Sequence, residues 1–162
     1  MTEPQTPAAS RPLRSFSRSL PMALLQARES VMVRFRPMLR EHGLTEQQWR
    51  VLRAMSAAGR SLRPMEMAQM TFISMPSLSR LLKTLEAKEL IHRSRLNDDL
   101  RGAEFGLTEA GCMIVAEIAP HSESTYAEIE SLVGAEDVEL LYQVLERVVR
   151  RLGVPSDGPD SA

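Results

Sequence analysis

From Ser74 to Lys83 the chain reads SMPSLSRLLK, hydroxyl and cationic side chains interleaved with leucines. These residue types can do a definite chemistry on a polyanion. Arg donates two hydrogen bonds to guanine O6 and N7, Ser bonds bases or phosphates, and Lys neutralises a phosphate as a point charge. If the stretch is a helix turning about 100° per residue, Leu78, Leu81, Leu82 and Leu85 form one stripe. Pro76, Arg80, Lys83 and Ala87 then lie on the opposite side, flanked by Ser77, Ser79 and Thr84. Arg80 stands at the centre of that side and is the first candidate for a base edge, with Lys83 for the backbone. Ser74 is placed to cap this helix, and the free N–H groups from Ser74 to Ser77 suit a phosphate. An ordinary solvated helix face has the same pattern, so the weight of the reading rests on the surrounding elements.

A second basic group follows. Ile91-His92-Arg93-Ser94-Arg95 alternates like a strand, Asn97 to Gly102 reads as a polar turn, and Ala103 to Leu107 as a returning strand. Arg101 at the tip of this hairpin suits a minor groove, whose negative potential attracts Arg. A salt bridge to Asp99 that stiffens the turn is the plainer alternative, and the two roles are compatible.

The elements that must hold these groups can be read in order. Residues 1–18 are rich in Pro, Ser and Arg and are expected to be a mobile arm. Ser19 and Pro21 open a helix whose apolar positions include Leu20, Leu24, Ala27, Val31, Phe35 and Met38; Pro37 should kink or stop it, and Gly43 ends the segment. Thr45-Glu46-Gln47-Gln48 fits a capping box for a second helix reaching Ala58, with Gly59 as its stop. A short segment, Ser61–Arg63, leads through Pro64 to a brief third helix at Met65–Met70. After the hairpin, Thr108 caps a long helix that Pro120 should bend. A last helix carries Val138, Leu141, Leu145, Val148 and Leu152, spaced for a helix-to-helix seam, and 153–162 is expected to be a disordered tail.

Helix, helix, short helix, helix and charged hairpin is the order of a winged helix-turn-helix. The expected fold is therefore mainly α (α+β), one domain over 19–152. Its winged helix-turn-helix spans 44–107, and the long helices at 19–43 and 108–152 are dimerisation helices, because so small a unit cannot bury their apolar faces alone.

Composition limits the function classes. The 162 residues hold 7 aromatics, so aliphatic and Met side chains must fill the core. No apolar run approaches the ~20 residues that span a bilayer, and the opening residues lack an apolar signal core, which points to a cytoplasmic protein. The net charge of −1 conceals an asymmetry: residues 1–101 hold 17 basic and 9 acidic side chains, residues 102–162 hold 3 and 12. One part of the molecule thus suits an anionic partner. His42, His92 and His121 are scattered and lack a Cys pair, so no metal site is expected. With no phosphate loop, nucleophile elbow or carboxylate pair, neither an enzyme nor a cofactor is expected. Cys112, the only cysteine, excludes an internal disulfide and is expected as a small core residue.

LTEQQWRVLRAM (44–55), SMPSLSRLLKTLEAKELIHRSR (74–95) and LTEAG (107–111) together resemble the MarR family, over roughly residues 20–152. Within it, ALLQARESVMVRFRPMLREHGLTEQQWRVLR (23–53) is most similar to repressors of aromatic-acid degradation operons. The resemblance implies a homodimer on a near-palindromic double-stranded operator, two recognition helices about 34–36 Å apart in successive major grooves. The DNA-contacting set becomes Ser74, Pro76, Ser77, Ser79, Arg80, Lys83, Arg93, Arg95 and Arg101. It also implies a small aromatic carboxylate, or its thioester, as releasing effector between the DNA-binding lobe and the dimerisation helices. Arg28, His42, Trp49 and Arg50 are candidates to bind it, with Met38 and Met55 as walls. For each alone, core packing or an exposed side is the plainer role.

Two departures from the family pattern stand out. Leu96 and Asp98 replace the first Asp and Arg of its usual wing, leaving Asp99 and Arg101. Glu89 stands where Gly usually follows the recognition helix; a left-handed non-Gly residue costs ~1 kcal/mol, so a locally different turn is expected. Two other functions compete: a redox-responsive repressor using Cys112, and a protein-interaction adaptor without DNA binding. The family's peroxide-sensing cysteine lies in the first helix, whereas Cys112 begins the fifth.

Overall fold

The computed structural model describes residues 15–95 and 103–153, and the Arg95 side chain is not among the parts described. The chain divides into two units, one ending at Arg34 and the other starting at Phe35, within the first helix.

In the first unit, Phe16–Arg18 form one 3-10 turn, closed by the Arg18 N–H on the Ser15 carbonyl at 2.9 Å. Helix α1 (Leu20–Glu41) follows. Its part here leaves Leu20, Leu24, Leu25, Val31 and Val33 exposed. Residues 1–14, most of the expected arm, lie outside the described residues.

The second unit starts with the end of α1, where Phe35, Met38 and Leu39 are buried at the spacing of one helical face. Helix α1 continues through Pro37 to Glu41 and stops only at Gly43, whose φ of 65° is the left-handed value a Gly adopts at little cost. Helix α2 (Glu46–Ala58) has the expected capping box: the Gln48 N–H donates to Thr45 Oγ1 at 3.2 Å, and the Thr45 N–H to Gln48 Oε1 at 3.1 Å. Trp49, Val51, Leu52 and Met55 are its buried side.

Helix α3 (Pro64–Thr71) and helix α4 (Met75–Ala87) are joined by the turn through Phe72. Leu78, Leu82 and Leu85 of α4 are buried, whereas Leu81 is only half-buried. Strands β1 (Ile91–Arg95) and β2 (Ala103–Leu107) pair antiparallel, with Arg93 opposite Phe105. The segment at 61–63 adds a third partner: Leu62 exchanges both backbone hydrogen bonds with Phe105, each 2.9 Å. The hairpin is thereby fixed to the loop before α3.

After α4 the chain turns through Glu89, whose φ of 58° is left-handed. The locally different turn expected there is not found. Three interactions hold the Glu89 backbone in place: its N–H donates to the Glu86 carbonyl (2.9 Å), its carbonyl accepts from Thr108 Oγ1 (2.6 Å), and the next N–H, of Leu90, reaches the Leu85 carbonyl (3.1 Å). Strain of ~1–2 kcal/mol persists where the surroundings fix the backbone this firmly.

Thr108 also caps helix α5 (Glu109–Val133), its Oγ1 accepting from the Gly111 N–H at 3.0 Å. Gly111 is required at its position, because a Cβ there would overlap the carbonyl oxygen of Leu90. Helix α5 passes through Pro120 without ending, and helix α6 (Ala135–Leu152) follows after Gly134. No residue of α6 is buried. Of the seam residues, Val138, Leu145 and Val148 are half-buried, whereas Leu141 and Leu152 are 49% and 78% exposed, so the described residues cover that stripe only in part. Residues 154–162 lie outside the described residues.

Candidate functional site

Helix α4 has the two-sided character its sequence requires. With Leu78, Leu82 and Leu85 buried, Pro76, Ser79, Arg80 and Lys83 are exposed and Ser77 is half-buried. Among the described residues, neither Arg80 nor Lys83 forms an ion pair, so both cations stand open to an anion. Ser74 occupies the N-cap position but, contrary to expectation, makes no side-chain bond to the helix N–H groups. Its hydroxyl turns to Ser77 Oγ at 3.1 Å, leaving the first-turn N–H groups open to a phosphate.

The hairpin and the start of α3 supply a second set of charges. Arg93 lies 6.0 Å from the centre of the Phe105 ring, a cation–π contact that steadies the guanidinium. Arg63 Nε is 3.6 Å from Glu104 Oε1 on β2. Glu66 takes the Arg63 N–H at 2.9 Å and pairs with Arg60 at 2.7 Å. The Arg60 guanidinium, then the Arg63 N–H, pulls the Glu66 carboxyl down to about 2, and the same pairing raises Arg60. An open groove of about 460 Å³ runs between α4 and the hairpin, with Arg63, Lys83 and Arg93 on its lining beside Met65, Met75 and Phe105. Ser74, Pro76, Ser77, Ser79, Arg80, Lys83 and Arg93 thus belong to one lobe. Arg95 is described only as part of β1, and Arg101 lies outside the described residues.

Of the four residues singled out for an effector, three lie in the second unit, where each has its own partners. Arg28 is in the first unit, 2.6 Å from Glu29. His42 is half-buried: Nδ1 lies 2.8 Å from the Met38 carbonyl, Nε2 lies 3.5 Å from Glu117 Oε1, and the ring is 6.2 Å from that of His121. Trp49 is buried at 7% exposure. Arg50 donates to the Thr71 carbonyl at 3.0 Å, satisfying the C-terminal end of α3.

A different cation meets an aromatic group. Arg53, one turn after Trp49 on α2, donates to the Tyr126 hydroxyl of α5 at 3.3 Å. The Tyr126 ring packs edge-on against Phe35, with centroids 5.0 Å apart and planes at 62°. Sequence reasoning passed over both residues; the available signal was the four-residue step from Trp49 to Arg53.

Cys112 is exposed, not in the core. Gly111 takes the buried position against Leu90, and one residue's rotation turns Cys112 outward. It borders a cavity of about 300 Å³ shared with His92 and Gly106. Among the described residues, no three His, Cys, Asp or Glu side chains gather as a metal site.

Residues 42–102 match the model of the MarR family. The homoprotocatechuate degradative operon repressor (HpaR) of Escherichia coli is 35% identical over 144 residues, 86% of this chain and 97% of the relative. The crystal structure of the transcriptional regulator PA4135 superimposes with a TM-score of 0.77 at 35% identity, covering 82% of this chain and 96% of that one. NadR in complex with 4-hydroxyphenylacetate gives a TM-score of 0.71 at 33% identity, covering 85% and 97%. These relatives are regulators, not enzymes. With the fold and these likenesses together, the chain belongs to the MarR family of winged-helix transcriptional regulators.

Proposed function

We propose that the chain is a homodimeric, sequence-specific DNA-binding repressor of an aromatic-compound catabolic operon, released by a small aromatic acid. The observation that carries the DNA reading is α4: Leu78, Leu82 and Leu85 are buried while Arg80 and Lys83 project without ion pairs among the described residues. Arg80 contacts a base edge and Lys83 a phosphate, with Ser77, Ser79 and the open helix N-terminus fixing register. Arg93 adds a hairpin contact. The E. coli relative's name supports repression of an aromatic degradation operon.

The apolar side chains left uncovered on α5 and α6, among them Leu132, Leu140, Leu141 and Val149, support dimerisation. Exposed apolar area of this kind is normally an interface. Two-fold symmetry then requires a near-palindromic operator with half-sites about 34–36 Å apart.

The effector reading rests on Arg53 and Tyr126, a cation and a phenol already hydrogen-bonded, with Tyr126 packed on Phe35 and Trp49 one helical turn before Arg53. An aromatic carboxylate fits that grouping: Arg53 takes the carboxylate, Tyr126 donates to it, and the rings supply an apolar wall. The NadR structure, which holds 4-hydroxyphenylacetate, supports an acid of that class. Release requires that the acid bind one dimer geometry more tightly than the other.

The test is fluorescence anisotropy of the purified protein on DNA from upstream of its own gene, with and without 4-hydroxyphenylacetate, across a salt series. Tight binding that weakens steeply with salt and with the acid is expected, each neutralised phosphate adding about −0.9 to the log–log slope. Binding indifferent to the acid removes the effector and keeps the repressor. Absence of specific binding, with Arg80→Ala behaving like wild type, leaves the adaptor reading.

A further inference from the structure

The large apolar side chains exposed in the second unit form two groups. One follows α5 and α6. The other lies within the helix-turn-helix, where Met65, Met70, Phe72 and Met75 are 59%, 48%, 63% and 37% exposed. Helix pairing accounts for the first group and says nothing about the second.

Phe72 is the most exposed of the four and also the most strained. It holds φ 52° and ψ 39°, the left-handed region that Gly or Asn enters readily and a bulky aromatic does not. Its ring gains little burial in return. A bulky residue kept in a strained turn with its side chain in solvent points to a use outside the fold. Phe72 stands two residues before the N-cap Ser74. Met75 is the first residue of α4, one helical turn before Ser79, and lines the groove that also holds Lys83 and Arg93. It is the leading end of a recognition helix that meets base edges.

The charge of the neighbouring Arg63, Lys83 and Arg93 selects a polyanion as the partner of this lobe. In the major groove of a duplex, the apolar feature presented to a protein is the C5-methyl of thymine. We propose that Phe72 and Met75 form an apolar reading edge that contacts thymine methyl groups and sets part of the operator preference. The inference rests on the DNA-binding reading above, and adds a thymine-specific term to the hydrogen bonds of Arg80, Ser77 and Ser79.

The experiment uses the full chain and a duplex obtained by selecting random-sequence DNA for binding to it. That duplex is then made with thymine or with uracil, which lacks only the methyl. Wild type should bind the uracil duplex about threefold to tenfold more weakly, one or two methyl contacts being lost. Phe72→Asn tolerates the left-handed turn and Met75→Gln keeps helix propensity, so both should fold, as a melting curve verifies. Each should bind the thymine duplex more weakly than wild type, with its thymine-to-uracil ratio falling toward one. Arg80→Ala should weaken both duplexes and retain the ratio. Equal wild-type binding to the two duplexes, or variants that keep the wild-type ratio, overturns the proposal while DNA binding stands. If selection enriches no sequence, the DNA reading and the proposal fall together.

Discussion

Leu78, Leu82 and Leu85 of α4 are buried within the chain, whereas Leu141 and Leu152 of α6, spaced with the same regularity, are exposed. The helix-turn-helix closes its own core: Leu52 of α2, Met67 of α3 and Leu78 of α4 are fully buried, and Leu62 locks the hairpin to the same body. Helix α6 is amphipathic to the same purpose, yet none of its residues is fully buried by the described residues, and Val138, Leu145 and Val148 are only half-buried. Periodicity therefore identifies which side of a helix is apolar, and not whether the cover comes from the same chain. The lobe that closes itself carries its open cations outward on α4, and the helices that do not close carry most of the acidic charge of residues 102–162.

The sharpest way to break this contrast is to open the self-contained side. Gly111→Ala drives a methyl into the Leu90 carbonyl, which is backbone and cannot move aside as a side chain does. A loss on the order of 3 kcal/mol is expected in urea denaturation, at the upper end of overpacking effects. A loss below ~1 kcal/mol would show that the α4–α5 junction adapts easily and is not fixed in the way described.

The next change acts on the uncovered side. Leu141→Asp places a charge on a side chain that is 49% exposed in the single chain, so the monomer should tolerate it. At a dimer seam it buries a carboxylate, and self-association should weaken by ~2 kcal/mol, roughly 30-fold. Sedimentation velocity over a concentration series reads the result. An unchanged monomer–dimer distribution would place the seam elsewhere on α5 and α6.

How much of this was legible depends on the range of each interaction. The capping box at Thr45 and Gln48, the cap at Thr108 and the stop at Gly59 are local, and the sequence reading matches the structure at all three. The order of helices and hairpin followed from periodicity. The bridge from Leu62 to Phe105 was not visible, because a three-residue segment has no period to read. Arg53 and Tyr126 are 73 residues apart, and nothing local ties one to the other. Cys112 read as a core residue because the contact that turns it outward, Gly111 on Leu90, is likewise non-local. At Glu89 the residue type argued for a different turn, and tertiary hydrogen bonds overrode that preference.

That override has a measurable size, smaller than the two effects above. Glu89→Gly removes left-handed strain at φ 58° without touching the Thr108 hydrogen bond, which uses the backbone carbonyl. Stabilisation by about 0.5–1 kcal/mol is expected, the relief of strain being partly offset by the greater entropy of an unfolded Gly. Urea midpoints with an unchanged slope would report it. A destabilised variant would mean that the Glu89 side chain, not the backbone, secures the turn.

The smallest effect distinguishes the lobe's internal charge pairs from its outward cations. The Glu66 carboxyl is held near 2 by Arg60 and by the Arg63 N–H, below the ordinary ~4.3 of a free Glu. A depressed folded value means that its contribution is fully present above the unfolded value and disappears as pH falls from about 4.3 toward 2. Glu66→Gln keeps much of the shape and removes the titration, so the variant should be less stable than wild type at neutral pH and the difference should shrink across that window. Both groups are exposed, so screening makes the effect small, and added salt should reduce it further. Arg80→Gln is the contrasting control: with no ion pair among the described residues, it should leave the acid limb of the stability curve unchanged. If Glu66→Gln tracks wild type through the whole window, the Arg60–Glu66 pair does not help hold the start of α3, and the Arg63–Glu104 contact would be left as the charged link between α3 and the hairpin.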